Sequence, residues 1–497
     1  MQFSDYVRHD ATGLAALVAA GEVSPAELLD TAIARAEAVN PALNAIVTPL
    51  YDKGKAMLDQ LPATGPFRGV PYLLKDLELN WAGTPLKSGC RGYANYVSTI
   101  DSEVVVRLKQ AGVVLFGKTN TPEFGLTPYT ESKLYGPARN PWNPNHSPGG
   151  SSGGSAVAVS AGIVPAASAS DGGGSIRIPA SCCGLFGLKP SRGRITLGPG
   201  YGELWNGAVV GHAVTRSVRD SARLLDAVAG PMPGDPYFLP APERPFADEV
   251  GREPGKLRIA FSTQHLMPAQ QTDLACVKAV RDAATLLEKL GHTVEEIPLP
   301  YEKSLVTEAF FVNVLSETAA TLRELSEYLG RPLRRDDVEL NTWAQARLAD
   351  GLSAADVSYQ QRRWNTLNRL MGQLHQTYDL LLTPALPRPP IAIGTFQNRA
   401  SEERLLKLVD TLGGLKYLHG TRTVNELADR SLGYISYTVI ANMTGQPSMS
   451  VPLYWSEAGL PIGVMFSGRL GDEATLFQLA GQLEQEQPWF DKRPPEL

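Results

Sequence analysis

Residues that build disulfide frameworks and metal sites are scarce in this sequence. It has four cysteines and seven histidines among 497 residues. The cysteines are Cys90, Cys182, Cys183 and Cys276. They form no CxxC pair and are too few to stabilise so long a chain by disulfide bonds. We therefore expect reduced thiols and a cytoplasmic location. His146 has no histidine or carboxylate partner at ligand spacing, and no metal site is expected.

An excess of positive charge and a long apolar run are also missing. The formal net charge is −5, so lysine and arginine cannot neutralise a phosphate backbone, and nucleic acid is not an expected partner. The most apolar stretch, residues 155–169, is interrupted by serines, Gly162 and Pro165. Because a membrane-spanning helix needs about 20 mostly apolar residues, we expect a soluble protein without a membrane partner. The first residues likewise lack the pattern of a secretory signal.

Short apolar runs alternate with helical patterns, most clearly from residue 70 onward. Such alternation is typical of α/β domains. Ser24, Pro25 and Glu27 form a start signal for a helix that runs to Asn40 and Pro41. The other predicted helices cover residues 10–20, 102–111, 275–290 and 473–485, and the predicted strands cover residues 70–74, 113–116, 257–261, 293–297, 378–383 and 462–467.

Two later segments complete the predicted organisation. Residues 304–375 have a mostly helical pattern, whereas residues 384–430 are predicted to form a loop-rich rim over a pocket. The sequence shows neither an internal repeat nor a linker. We predict a single domain over residues 1–497, with a variable substrate region at about residues 300–430.

Two glycine motifs fit other enzyme classes but lack the context that those classes need. Residues 112–119 match a Walker A expression, yet the variable positions form an apolar strand rather than a phosphate-binding loop. Residues 149–153 match the nucleophile elbow of α/β-hydrolases, which would need a downstream acid and histidine. The later histidines are His212, His265, His292, His375 and His419. None of them has neighbours that mark a catalytic base. The nucleophile elbow remains an alternative interpretation of residues 149–153.

Three segments together carry a different chemistry. Residues 69–76 include Lys75, residues 147–155 include Ser151, and residues 171–179 include Ser175 after three glycines. In these motifs, and in the spacing of the two serines, the chain resembles the amidase signature family. Further family landmarks at residues 117–124, 136–142, 184–190 and 445–448 extend the resemblance over most of the chain.

The resemblance implies a Ser-Ser-Lys triad. A serine hydroxyl is a poor nucleophile until a base takes its proton, and lysine can be that base only when it is neutral. Lys75 follows an apolar run, so we expect it at the end of a buried strand, where burial would lower its pKa. The family implies that Lys75 accepts a proton from Ser151, that Ser151 accepts one from Ser175, and that Ser175 attacks the carbonyl carbon.

The glycines around the two serines also have roles in the family. The resemblance implies a cis peptide bond between Gly150 and Ser151, where small neighbours relieve the crowding. The predicted oxyanion hole consists of the backbone N–H groups of Gly172, Gly173 and Gly174 with that of Ser175. Because the family often has a bulkier residue at the position of Gly172, we expect an unusually roomy or flexible hole.

The implied activity is hydrolysis of carbon–nitrogen bonds other than peptide bonds, in linear or cyclic amides, with no cofactor and no metal. Within the family the chain is most similar to hydrolases of the cyclic 6-aminohexanoate dimer, at residues 69–76, 139–142, 330–333 and 336–339. Expected substrates are therefore small amides, 6-aminohexanoate-type oligoamides, anilides and carbamates. An alternative is the glutaminase subunit of a transamidation complex, from which residues 195–205 depart.

The implied fold is the amidase signature fold. It is an α/β/α sandwich, in which helices cover both faces of a mixed, twisted central sheet. Asp171 and Arg177 are predicted to be structural supports, and Cys182 and Cys183 to be packed thiols. The resemblance to the family also implies that the protein can form a homodimer.

Overall fold

A mixed sheet of 11 strands runs through the molecule. The computed structural model describes residues 1–418 and 421–495. The strands are β1 Ile46–Pro49, β2 Pro71–Lys75, β3 Val114–Thr119, β4 Glu131–Ser132, β5 Gly136–Pro137, β6 Ala166–Asp171, β7 Phe186–Lys189, β8 Val210–Thr215, β9 Arg258–Phe261, β10 Thr293–Glu296, β11 Leu380–Pro384, β12 Ser448–Trp455 and β13 Pro461–Ser467. Of these, β4 and β5 form a separate two-stranded sheet.

Helices flank this sheet. They are α1 Phe3–Tyr6, α2 Ala11–Ala19, α3 Pro25–Leu43, α4 Tyr51–Met57, α5 Glu103–Ala111, α6 Gly153–Ser160, α7 Arg177–Cys183, α8 Val218–Val228, α9 Leu274–Lys289, α10 Lys303–Leu329, α11 Leu340–Ala349, α12 Ala354–Thr377, α13 Ala400–Thr411, α14 Arg422–Tyr434, α15 Val439–Thr444 and α16 Glu473–Glu486. The predicted α/β class, with a mixed sheet between helices, is confirmed.

The strand order explains why motifs that are far apart in the sequence meet. The order is β1-β3-β2-β6-β8-β7-β12-β13-β11-β9-β10. Strand β2 is parallel to both β3 and β6. The carboxyl ends of β2 and β6 therefore lie at the same edge of the sheet. Lys75 ends β2 and Asp171 ends β6, so the lysine segment and the glycine-rich segment start from neighbouring strands.

The start signal at the N-terminus of α3 forms as predicted. The Ser24 hydroxyl accepts a hydrogen bond from the Glu27 N–H, and the Glu27 carboxylate accepts one from the Ser24 N–H. The helix continues through Pro41 and ends at Leu43, slightly beyond the predicted end. Asn44, with φ 52°, closes it in the left-handed conformation, which asparagine tolerates better than most residues.

The prediction that residues 384–430 form loops is wrong in part, because α13 and most of α14 lie in this segment. Prolines and glycines are frequent only before Ala400 and around Gly413. Between them, Glu402 accepts a hydrogen bond from the backbone N–H of Arg399 and helps to start α13. All residues of α13 are exposed or partly exposed, so its pattern carries no strong burial signal.

The long helix α10 belongs to a second hydrophobic cluster beside the sheet. Phe310 and Val306 of α10 pack there with Trp364 of α12. By length and composition alone, α10 could cross a membrane, but 50% of its most apolar window is buried inside the molecule. A core helix has the same property, so the burial of α10 fits its place in this cluster.

Candidate active site

Lys75 lies at the end of the fully buried strand β2, as predicted. Its side chain is 1% exposed. The Nζ atom donates to Ser151 Oγ at 2.8 Å and to Ser170 Oγ at 2.9 Å. The backbone N–H of Lys75 donates to Ser168 Oγ at 2.7 Å, which ties β2 to β6 near the amine. Within the described residues, both hydrogen bonds of the amine are therefore with hydroxyl groups.

Ser151 lies on the turn that leads into α6. The peptide bond between Gly150 and Ser151 is cis, at the predicted position. A Cβ atom on Gly150 would lie 2.6 Å from the backbone nitrogen of Tyr129. This distance is shorter than real Cβ contacts allow. Only glycine therefore fits next to Ser151 at this close approach of two backbones.

Ser175 lies on the loop between β6 and α7 and is partly exposed, whereas Ser151 is 2% exposed. The N–H of Ser152 donates to the carbonyl of Ser175 at 3.3 Å and joins the two serine segments. Within residues 1–418 and 421–495, no hydrogen bond joins the hydroxyls of Ser151 and Ser175. Among the described residues, the second step of the predicted relay is therefore not present as a hydrogen bond.

A buried ion pair holds the loop that carries Ser175. The Arg177 guanidinium donates to both carboxylate oxygens of Asp171, at 2.9 and 3.0 Å. The same carboxylate accepts from the N–H groups of Gly174 at 2.7 Å and Ile176 at 3.1 Å. Burial would raise the pKa of Asp171, but Arg177, together with the charge of Lys189 and a hydrogen bond from Asn442, lowers this pKa to about 2. Asp171 and Arg177 thus have the geometry of the structural supports that were predicted.

The three predicted oxyanion glycines differ in what their N–H groups can do. The N–H of Gly174 is already bonded to Asp171, so it is not free for an oxyanion in this structure. In the part of the chain that is described, no group accepts from the N–H of Gly172, Gly173 or Ser175. These three N–H groups remain available as donors, and the bond from Gly174 to Asp171 fixes the loop that carries them.

The structure does not show the expected room beside Gly172, and the flexibility of the hole stays a prediction. A Cβ on Gly172 would lie 3.2 Å from Val209 Cγ2 and 3.3 Å from Trp205 Cε3. A Cβ on Gly173 would lie 3.2 Å from Phe310 Cζ. Side chains from elsewhere in the chain fill the space that a larger residue at position 172 would occupy.

The electrostatic environment of Lys75 suits a general base. Burial lowers the pKa of Lys75 to about 8, and Glu78 and Asp171 oppose this effect by their negative charge. Burial also raises the pKa of Glu78, which Lys75 and Ser170 counteract. Glu78 and Ser170 line the same cleft. The amine therefore loses its proton far more readily than a free lysine does.

These observations agree with a match over most of the chain. The family model described as Amidase matches residues 27–477. The chain belongs to the amidase family. A 6-aminohexanoate-cyclic-dimer hydrolase from Pseudomonas sp. (strain NK87) is 40% identical to it over 495 residues, which cover 98% of this chain and 96% of that relative.

Solved structures lead to the same family. The structure of a 6-aminohexanoate cyclic dimer hydrolase matches this amidase with a TM-score of 0.88 and 37% identity, over 98% of this chain and 99% of the other. A bacterial aryl acylamidase of the amidase signature family matches with a TM-score of 0.84 and 26% identity, over 98% and 99% of the two chains. The predicted family and enzyme class are confirmed: the chain is an amidohydrolase that acts on carbon–nitrogen bonds of amides.

The four later histidines that the structure describes have ring partners outside the serine site. His212 bonds to Ser221, His292 to Gln482, and His375 to Gln446. The ring of His265 accepts from the N–H of Met267, and His419 lies outside the described residues. Within those residues no group of three or more histidine, cysteine or acidic side chains could hold a metal. The elbow alternative thus lacks a histidine bonded to a candidate serine in the described part of the chain.

Residues that the sequence analysis missed complete the site of this amidase. Ser168 and Ser170 alternate along β6 and both bond to Lys75. The two serines are two residues apart in the strand that ends at Asp171. This spacing could have revealed them, because alternate residues of a strand point to one face. Asn442 donates to Asp171 at 2.8 Å, and Thr438 donates to the carbonyl of Gly173 at 2.7 Å. No local pattern marks these two residues, which lie more than 260 positions downstream in the sequence.

Proposed function

We propose that this amidase hydrolyses small amides of the 6-aminohexanoate type through an acyl-enzyme on Ser175, with Ser151 and Lys75 as the proton relay. The observation that carries the proposal is the 2.8 Å hydrogen bond from a 1% exposed lysine amine to Ser151. A buried amine without a carboxylate bonded to it has a lowered pKa and can act as a base near neutral pH.

The proposed acylation moves two protons in sequence. Ser175 Oγ attacks the carbonyl carbon and passes its proton to Ser151 Oγ, while the Ser151 proton moves to the Lys75 amine. The carbonyl oxygen becomes an oxyanion that accepts from the N–H groups of Gly172, Gly173 and Ser175. When the carbon–nitrogen bond breaks, Ser151 protonates the leaving nitrogen and regains a proton from Lys75.

The proposed deacylation uses the same groups with water. A water molecule attacks the Ser175 ester and loses a proton through Ser151 to Lys75. Collapse of the second oxyanion releases the carboxylic acid and returns the proton to Ser175 Oγ. Both half-reactions end with a neutral Lys75, so the base is regenerated without an external group.

The substrate class rests on similarity over nearly the whole chain. The relatives named above hydrolyse the cyclic 6-aminohexanoate dimer or, in one case, aryl acylamides by their descriptions. We infer that cyclic and linear 6-aminohexanoate oligoamides and anilides are substrates, and that small carbamates share the site. The partner is a small molecule. We also propose a cytoplasmic enzyme without nucleic-acid or membrane partners. A homodimer is proposed from resemblance to the family alone.

The test compares three purified variants on the cyclic 6-aminohexanoate dimer, a hexanoyl anilide and a small carbamate. Ser175→Ala should abolish turnover, and Ser151→Ala should lower kcat by about 10³-fold or more, since residues of one relay act as a unit. Ser401→Ala changes an exposed serine of α13 and should behave like the wild type.

Intact-protein mass spectrometry of a rapidly quenched reaction should show one added acyl group, located on Ser175. Turnover by Ser175→Ala, or an acyl group on another residue, would contradict the proposal. Activity of the isolated chain separates it from a glutaminase subunit, which depends on partner chains.

A further inference from the structure

Trp205 stands against the glycine loop that carries the proposed oxyanion donors. We propose that Trp205 selects the acyl group, so that this amidase prefers acyl chains that are unbranched at the carbon next to the carbonyl. The inference rests on the proposed function and adds the substrate class that the acylation site accepts.

Two aromatic rings cover the two glycines whose N–H groups are free. Trp205 lies over Gly172, where a Cβ would come 3.3 Å from its ring, and Phe310 lies over Gly173, where a Cβ would come 3.2 Å from its ring. The two rings contact each other edge to face, with centroids 6.2 Å apart and planes inclined by 65°. They form a continuous aromatic wall above the loop.

The backbone of Trp205 adopts a conformation that needs support. Its φ is 54°, and Asn206 follows with φ 55°. A bulky residue in the left-handed region is a clear outlier, which persists only when its surroundings hold it. An observed outlier of this kind beside a reaction site is a pointer to function.

Helix α10 supplies that support on both sides of the residue. The N–H of Trp205 donates to the Glu317 carboxylate at 3.3 Å, and the Trp205 carbonyl accepts from the Asn313 side chain at 3.2 Å. Asn313 is 2% exposed, so this tether is buried. Because Phe310 belongs to the same helix, α10 holds both parts of the aromatic wall.

The position of the wall determines which carbon it meets. An acyl oxygen that accepts from the N–H groups of Gly172 and Gly173 places the adjoining carbon next to the side chains that cover these glycines. A CH₂ group is small enough to pass along a fixed aromatic face. Trp205, Val209 and Phe310 occupy the space beside the Cα atoms of Gly172 and Gly173. In this proposal a methyl branch on the acyl carbon competes for that space.

The test measures kcat/KM for the p-nitroanilides of hexanoic acid and 2-methylhexanoic acid. The wild type should prefer the unbranched substrate by about 10- to 200-fold, the range for one misfitting carbon in an apolar pocket. Trp205→Ala should lower this ratio by at least about tenfold. Trp343→Ala is the matched control, because Trp343 bonds to Asp410 outside the wall and should leave the ratio within about twofold.

A double-mutant cycle adds a readout that loss of folding cannot imitate. Gly172→Ala introduces a Cβ that meets both Val209 and Trp205, so it should cost activity in the wild type. Because Trp205→Ala removes one of these two contacts, the cost should be at least about twofold smaller in the Trp205→Ala background. Trp205→Leu keeps an apolar side chain and replaces Trp205→Ala if the latter does not fold.

The two proposals fail in distinguishable ways. Labelling of Ser175 by a fluorophosphonate reports on the nucleophile without using an acyl chain. If Ser175 is labelled but the wild type has no preference, or Trp205→Ala leaves the ratio unchanged, the inference about Trp205 is wrong. If Ser175 is not labelled and Ser175→Ala still turns over amides, the proposed function itself is wrong.

Discussion

The acylation rate of this amidase should rise with pH through the titration of Lys75. Only the neutral amine can accept a proton, and burial lowers the pKa of Lys75 to about 8. At pH 7 roughly a tenth of the amine is then neutral, against roughly 0.04% for a free lysine with a pKa of about 10.4. Burial therefore supplies roughly 200-fold more base at neutral pH.

The rate should increase roughly tenfold from pH 7 to pH 9 and become constant above it, as the neutral fraction approaches one. The assay is kcat/KM for a hexanoyl anilide between pH 6 and pH 10, because this parameter reports the ionisation of the free enzyme. Anilides do not ionise in this range, so the inflection near pH 8 belongs to the protein. Lys75→Ala should leave a low residual rate without this inflection.

A second buried lysine provides the control. Burial also lowers the pKa of Lys118 to about 8, but its amine donates to the carbonyl of Leu79 at 3.0 Å rather than to a serine. Lys118→Met should therefore retain the inflection near pH 8. A profile that is flat from pH 7 to pH 9 in the wild type, or one whose inflection disappears in Lys118→Met and persists in Lys75→Ala, would refute the assignment of Lys75 as the base.

Three further predictions follow from the same contacts. Glu78→Gln removes a negative charge that raises the pKa of Lys75, so the inflection should move to lower pH, by about one pH unit; a shift to higher pH would contradict this. Asp171→Asn breaks the buried pair with Arg177 and should lower the free energy of unfolding by about 3–5 kcal/mol in a urea titration. The control is Asp282→Asn, which changes an exposed pair with Lys278 and should leave the midpoint of the titration unchanged. Incubation with EDTA should leave kcat unchanged, because the proposed relay uses only serine and lysine; inhibition that added zinc reverses would contradict the relay.

Local patterns predicted several elements of the fold, including the strand that carries Lys75. The capping residues Ser24 and Glu27 fixed the start of α3, and the apolar run before Lys75 predicted a buried strand that ends at the lysine. These patterns depend on residues within a few positions of each other, so they can be recognised without the fold. The loop prediction for residues 384–430 failed at α13, whose partly exposed residues leave no strong burial pattern.

The residue types of the proposed chemistry can be read from the sequence: a lysine after a buried strand, two serines in glycine-rich turns, and small residues where backbones approach closely. The surroundings of these residues depend on how distant segments pack together. Ser170 reaches Lys75 through the pairing of β2 with β6. Trp205 fills the space beside Gly172 because helix α10 holds it there. Such contacts join residues far apart in the sequence, and only the packing of strands and helices sets the distances between them.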